Sequence, residues 1–269
     1  MRQLSLIGFH ESLIESSVAT LQQYEHRDYP YYGCFSGGKD SVVIKRLAEI
    51  AGVSVEWHYN VTTIDPPELV LFIKRKYKDV IFNLADRNFF TAMLKKGFPT
   101  RVARWCCKEF KESKPPDGSR LIIGIRAAES PRRAANWQTF TLNRQRRGEF
   151  VCPILHWKRR DVWQFIEEQN LSYCSLYDEG YKRLGCIGCP MSGKKGRERD
   201  FARWPRYEVL WKKAFAKLWE LKHGTIGPRS GKEWFGSAKF STWEELFEWW
   251  KSDESTPDDI CQGPVELFV

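Results

Sequence analysis

The chain has 269 residues, 42% hydrophobic and 29% charged, a composition that excludes a disordered polyelectrolyte, and no apolar run approaches the roughly 20 residues a membrane helix needs. Its formal charge of +9 favours anionic partners such as nucleotides, nucleic acid or acidic proteins. The first residues lack a basic start, a long apolar stretch and a small-residue cleavage site, so a cytoplasmic chain is expected. Eight cysteines in that setting point to metal binding or thiol chemistry rather than to disulfides.

In chain order, residues 11–27 place Leu13, Ile14, Val18, Leu21 and Tyr24 near helical spacing, the pattern of an amphipathic helix whose job is packing. "YYGCFS" reads as a buried strand, and 40–51 as a helix with Val42, Val43, Leu47 and Ile50 turned inward. A strand over 53–60 precedes a helix over 66–77 that opens on prolines, where a missing amide is tolerated. "DVIFNL" (79–84) and "NFFTAMLKK" (88–96) repeat the alternation, and "RLIIGIRAAES" (120–130) supplies a further apolar strand. This rhythm implies an α/β fold with a parallel sheet and helices on both faces. A helix is expected over 159–169, and from about 200 the chain turns helical and Trp-rich, with Trp204, Leu210, Trp211, Ala214, Phe215, Leu218 and Trp219 on a core-facing stripe. The expected organisation is a packing helix over 1–28, a nucleotide-binding domain with the cysteine cluster over 29–198, and a helical region over 199–269.

Chemistry concentrates first in "SGGKDS", 36–41, between the first strand and its helix. Gly37 and Gly38 let the backbone turn sharply and let a ligand approach closely. Free amides and the positive dipole end of the helix then point at the loop. Lys39 adds charge, Ser36 and Ser41 add hydroxyls, and Asp40 can cap the helix, hold magnesium, or both. The ordinary phosphate loop, GxxxxGK[ST], does not fit. Basic clusters at 144–148, 157–161 and 193–200 form an electropositive surface if they share a face.

Sulfur is the second signal. "RWCCKEFK" (104–111) and "CIGCP" (186–190) carry two close cysteine pairs. A CxxC turn aims two thiolates at one point, and a second pair can complete sulfur ligation of zinc or iron. Cys106, Cys107, Cys186 and Cys189 are the candidate ligands, with Cys152 an alternative, while Cys34 and Cys174 read as small buried residues.

"SGGKDS" resembles the SGGxDS signature of the PP-loop ATP pyrophosphatases, of adenine nucleotide alpha hydrolase-like, Rossmann-like fold. "GIRAAESPRR" (124–133) resembles the GxRxxES segment of that superfamily's phosphoadenosine phosphosulfate (PAPS) reductase branch, and "VTTIDPPELVLFI" more loosely its segment after the second strand. The resemblance implies ATP cleavage between the α and β phosphates with Mg2+, catalysis by Lys39, Asp40 and Ser41, Arg126 facing phosphate and Glu129 organising the loop. Arg132 and Arg133 are either ligand contacts or a solvated pair. The CC…CxxC pattern is similar to that holding a 4Fe-4S cluster in adenosine phosphosulfate (APS) reductases. "RWCCKEF" also resembles the RWCTxxxK segment of other family members, which leaves Cys107 as fourth ligand or as a sulfur-carrying thiol. The reductases' ECGLH segment is absent; "DDICQGPVELF" keeps only Cys261. The resemblance therefore implies adenylation of a substrate, DNA or RNA, for sulfur incorporation, as in the PP-loop component of DNA phosphorothioation systems or in tRNA thiolation, with a cysteine desulfurase as sulfur donor. The alternatives are a thioredoxin-dependent APS or PAPS reductase and a non-catalytic nucleotide-sensing or DNA-binding module.

Overall fold

In the computed structural model, residues 2–143, 148–226, 234–235 and 240–252 are described. In chain order the elements are α1 (Arg2–Gln23), β1 (Tyr31–Cys34), α2 (Lys39–Ala51), β2 (Val55–Asn60), α3 (Pro67–Lys76) and β3 (Ile81–Asn83). Then follow α4 (Phe89–Lys96), a helical turn α5 (Trp105–Cys107), β4 (Arg120–Ile122), α6 (Pro131–Asn136), β5 (Phe140–Asn143) and β6 (Gly148–Val151). The chain continues through α7 (Arg159–Glu168), α8 (Gly193–Arg203), α9 (Pro205–Lys222) and α10 (Trp243–Ser252). Among the described residues no helix is long and apolar enough to cross a membrane.

The six strands form one sheet in the order β3-β2-β1-β4-β6-β5. Five run parallel, and β5 pairs antiparallel with β6 at the edge. The fold is thus α/β and Rossmann-like, but with a mixed sheet rather than the wholly parallel one expected: FTLN (140–143) and GEFV (148–151) pair antiparallel, and although the first alternates apolar and polar residues over its four positions, the second does not. Strand order reverses between β1 and β4, because β1 leads outward to β2 and β3 before the chain returns on its other side. Such a switch point opens a crevice beyond the carboxyl ends of the two strands, where ligands of open α/β sheets bind.

Two compact units result, neither continuous in sequence. The first comprises residues 1–60, 67–83 and 114–184 and contains the whole sheet; the second comprises 61–66, 84–113 and 185–269. This division follows contacts rather than chain order. Both cysteine pairs fall with the C-terminal helices, whereas the sequence grouped them with the loop.

In the first unit, Val42, Val43, Ile44 and Leu47 of α2 and Ile122 and Val151 of the strands are fully or almost fully buried. Ile50, expected inward, is 41% exposed in the last turn of α2. The helix α1 packs on α2, starting earlier and ending sooner than its pattern predicts. Leu21 is its buried anchor, and the Ser17 hydroxyl donates to Pro153 O at 2.7 Å while accepting from the Trp157 indole at 3.1 Å.

The second unit is held by aromatic packing. Trp211 is fully buried, stacked on Trp250 at 4.6 Å and edge-on to Phe89 at 5.1 Å; Phe215 and Leu218 complete the stripe. Leu210 does not, being 43% exposed on the outer face of α9. The expected single helical run is broken at Trp204–Pro205, where proline starts α9.

Candidate functional site

The loop after β1 lies at the switch point. Gly38 is the N-cap of α2 in extended conformation, and no side chain caps the helix, which corrects the capping role allowed to Asp40. Gly37 turns at φ +70°, and a Cβ there would stand 2.6–2.7 Å from Ile73 and Leu69, so both backbone and packing require glycine. The Ser41 hydroxyl donates to Gly38 O at 2.8 Å, and Ser36 Oγ lies 3.3 Å from it, tying the turn to the first helical residues. The backbone N–H of Lys39 donates to the Tyr177 hydroxyl at 2.9 Å.

Around this loop the charges are paired in a chain. Lys39 Nζ is 2.7 Å from Asp40 Oδ2, and Arg126 Nε is 2.7 Å from Asp40 Oδ1. Arg126 Nη2 is 3.5 Å from Glu129, which Arg133 also contacts. Lys39 and Arg126 are buried, at 3% and 4% exposure. Burial pushes the Lys39 ammonium below its usual range, helped by Arg126 and Arg159 and opposed by Asp40. A cleft of about 290 Å³ opens above them, lined by Lys39, Arg126, Glu129, Arg159, Lys182 and Arg183 with Ala128. Its size suits a small polar ligand, and its excess of cations suits an anion.

The structure therefore brings Lys39, Asp40, Ser36, Ser41, Arg126 and Glu129 together. Arg133 binds Glu129 instead of lining the cleft, and Arg132 is exposed. Tyr177, Arg159, Lys182 and Arg183 were not anticipated there. The basic clusters 157–161 and "YKRLGC" (181–186) were the available signal, but only the fold shows that they meet the loop.

The second unit holds the four candidate thiols. The turn α5 runs directly into a π turn over Lys108–Glu112, a tight local distortion often found at functional positions. It presents Cys106, Cys107 and Lys111 to a small cavity of about 30 Å³ that Cys186 and Cys189 also line, with Thr62, Ile64, Phe89, Phe110 and Trp211 among its walls. The CxxC turn is clamped from three sides. The Trp211 indole donates to Ile187 O at 3.2 Å, Ile187 N–H donates to Ile64 O at 2.8 Å, and Gly188 N–H donates to Asp200 Oδ2 at 3.2 Å. Gly188 has φ +75°, and a Cβ would meet the Trp211 nitrogen at 2.7 Å.

The thiols are chemically unequal. A hydrogen bond from Cys106, together with Lys111 and Arg104, pulls the Cys107 thiol down to about 5 against the opposing effect of burial. Cys106 is correspondingly raised, and burial pushes Cys186 to about 11. Cys186 Sγ reaches Thr62 Oγ1 at 3.5 Å, and Arg104 reaches Cys107 Sγ at 3.5 Å. Lys111 is an exposed residue by surface, yet its ammonium is held protonated chiefly by Cys186 and then Cys107.

Among the described residues, no group of three or more His, Cys, Asp and Glu side chains is arranged as it stands to hold a metal ion. Four thiols from two segments, with Arg104 and Lys111 to offset their charge, nonetheless match a four-thiolate centre. The match lies in donor chemistry and charge, not in the enclosed volume. Cys152 is buried at the end of β6 in the first unit and does not line this cavity. Cys174 is buried as expected, whereas Cys34 is only half-buried. Cys261 and residues 144–147 lie outside the described residues.

Comparisons with known proteins bear on the family and the fold. An uncharacterized protein of Methanocaldococcus jannaschii is 28% identical over 193 residues, 67% of this chain and 47% of that protein. A second from the same organism is also 28% identical, and again 47% of it is matched, so the chain spans about half the length of these relatives. Adenosine 5'-phosphosulfate reductase of Halalkalibacterium halodurans is 24% identical over 189 residues, 64% of this chain and 79% of that one. Among solved structures, phosphoadenylyl-sulfate reductase from Candida auris shares the fold at a TM-score of 0.51 and 16% identity, covering 69% of this chain and 96% of that one. Residues 31–192 match the phosphoadenosine phosphosulfate reductase domain, from the first strand through both cysteine pairs, and the chain belongs to that family.

Proposed function

We propose that the chain is an ATP pyrophosphatase that activates an oxygen of an acceptor, a nucleic acid, for replacement by sulfur. The observation that carries this reading is the paired inner charge at the switch point: buried Lys39 and Arg126 bracket Asp40 beside the amide-rich start of α2. An acceptor oxygen attacks the α-phosphorus, the bond to the β-phosphate oxygen breaks, and pyrophosphate leaves with the electron pair. Lys39 and the first amides of α2 meet the charge that develops on the leaving group, an interaction strongest in the transition state. Arg126, oriented by Asp40 and Glu129, would hold a phosphate, and Asp40 would take Mg2+ by exchanging its pairing with Lys39 for the metal. Hydrosulfide, released from the persulfide of a cysteine desulfurase by a dithiol reductant that becomes a disulfide, then forms the new bond to sulfur as AMP leaves with the electron pair of the bond that breaks.

Cys106, Cys107, Cys186 and Cys189 are the proposed ligands of a 4Fe-4S cluster, which when bound would supply a site for accepting or presenting sulfide. The chain's own part is to hold the CxxC turn rigid through Trp211, Ile64 and Asp200 and to set cations beside the thiols.

Anaerobic purification with iron and sulfide analysis, paired with a pyrophosphate-release assay, tests both halves. Cys186→Ala should lose iron and keep ATP cleavage. Lys39→Ala should keep iron and lose cleavage by about 10²- to 10³-fold, the usual effect of removing a group that stabilises transition-state charge. Identical behaviour of the two variants sinks the division of labour.

The similarity to APS reductases favours a second reading, reduction of a sulfonucleotide to sulfite. It requires a nucleophilic thiol, and Cys261 is the one cysteine of the C-terminal tail. Sulfite formation with thioredoxin, abolished in Cys261→Ser, would select it.

A further inference from the structure

The cations of the cleft fall into two tiers. Lys39 and Arg126 are buried and already matched by Asp40 and Glu129. Arg159, Lys182 and Arg183 are exposed, and among the described residues none of the three makes an ion pair. They come from separate places, Arg159 from the first turn of α7 and the other two from the segment after Tyr181, yet they line one opening. Isolated surface cations are ordinarily just solvated. Three that converge without a counterion repel one another, and the arrangement is favourable only when an anion shares it.

The phosphates of a nucleotide bound at the start of α2 would meet the buried tier at the floor of the cleft. The outer tier stays in water, where a polymer lying across the opening can reach it. Its side chains are of the kind that contact a nucleic-acid backbone without reading sequence. We propose that Arg159, Lys182 and Arg183 form the docking site for the phosphodiester backbone of the acceptor, a site that delivers the polymer to the activated nucleotide. This rests on the ATP-activation reading above and adds to it the residues that grip the acceptor.

The test is the salt dependence of binding to two labelled probes, a short DNA duplex and a transfer RNA transcript, measured by fluorescence anisotropy. Comparison is with the triple variant Arg159→Gln/Lys182→Gln/Arg183→Gln. Loss of three phosphate contacts should flatten the log K against log salt slope by about two to three units and weaken binding about a hundredfold at 0.15 M salt. The probe that shows the larger change identifies the polymer. The charge-conserving pair Arg159→Lys/Arg183→Lys should keep the slope, which a merely structural role would not require. An unchanged slope in the triple variant, with ATP affinity down tenfold or more, overturns the inference and gives the tier to the triphosphate. Wild-type protein that binds neither probe also overturns it. In that case continued release of pyrophosphate from ATP leaves the activation reading standing, and its absence removes both.

Discussion

In the first unit the charge of the candidate site opens onto a cleft. Lys39, Arg126 and Asp40 form a paired inner layer, cations that make no ion pair among the described residues stand outside it, and the whole sits where the sheet's strand order reverses. In the second unit the candidate ligands are thiols enclosed mainly by apolar and aromatic side chains, presented by irregular segments and held by single hydrogen bonds to one turn. The difference follows from the chemistry of the atoms involved. An anion is bound by dipoles and charges that secondary structure supplies at helix starts and strand ends. Thiols have no such backbone complement, so their placement depends on how well surrounding side chains pack.

That contrast predicts unequal responses to packing defects. Trp211→Ala removes a fully buried ring together with its hydrogen bond to Ile187 O, and should cost about 3–5 kcal/mol in denaturant titration. The specific signature is that more thiols react with a disulfide reagent under native conditions, while nucleotide binding persists. If nucleotide binding is lost in step with thiol exposure, the two sites do not depend on separate packing. Gly37→Val probes the other side. It forces a β-branched residue to φ +70° and a Cβ to within 2.6–2.7 Å of Ile73 and Leu69, for a cost of about 3 kcal/mol. Here ATP cleavage should fall and thiol reactivity stay as in wild type.

The same contrast explains what could be read in advance. "SGGKDS" is legible because an anion loop is local, six consecutive residues whose types each have a reason, and Arg126 and Glu129 follow a strand in the same way. The alternation of strands and helices likewise reports local periodicity. The edge strand β5 escaped, since Phe140–Asn143 is only four residues long and its partner, Gly148–Val151, shows no alternation of its own. Arg159 was legible only as part of the basic cluster 157–161, and Lys182 and Arg183 carried no signal of their own until the fold brought all three to one opening. The cysteine pairs were visible, but not their supports: Thr62 lies 124 residues from Cys186, and Asp200 and Trp211, 12 and 24 residues beyond the groups they bind, sit on separate helices whose packing leaves no local pattern. Ile50 and Leu210 were misassigned because an apolar residue on an amphipathic helix satisfies periodicity whether or not a neighbour covers it.

The smallest expected effect concerns the clamp on the CxxC turn. Asp200 is 6% exposed, and burial raises its carboxyl from 3.8 to about 6 even though Gly188 N–H, Arg199 and Arg197 act in the opposite direction. The folded chain therefore keeps this proton up to about pH 6, whereas the unfolded chain has lost it by about pH 5. Between these limits the folded state binds more protons, so stability falls as pH rises through the window and the loss persists above it. A shift of this size corresponds to about 3 kcal/mol at full value. Asp200→Asn keeps an oxygen for Gly188 N–H but adds an amide that needs its own partner, at a cost of about 1 kcal/mol. The variant should then be more stable than wild type by about 2 kcal/mol at pH 8, with the advantage shrinking through pH 6 and gone by about pH 4. Urea titrations at these three values give the comparison. A gap that does not change with pH would mean the carboxylate is not desolvated, and the CxxC turn would then be held in a wetter setting than its aromatic neighbours imply.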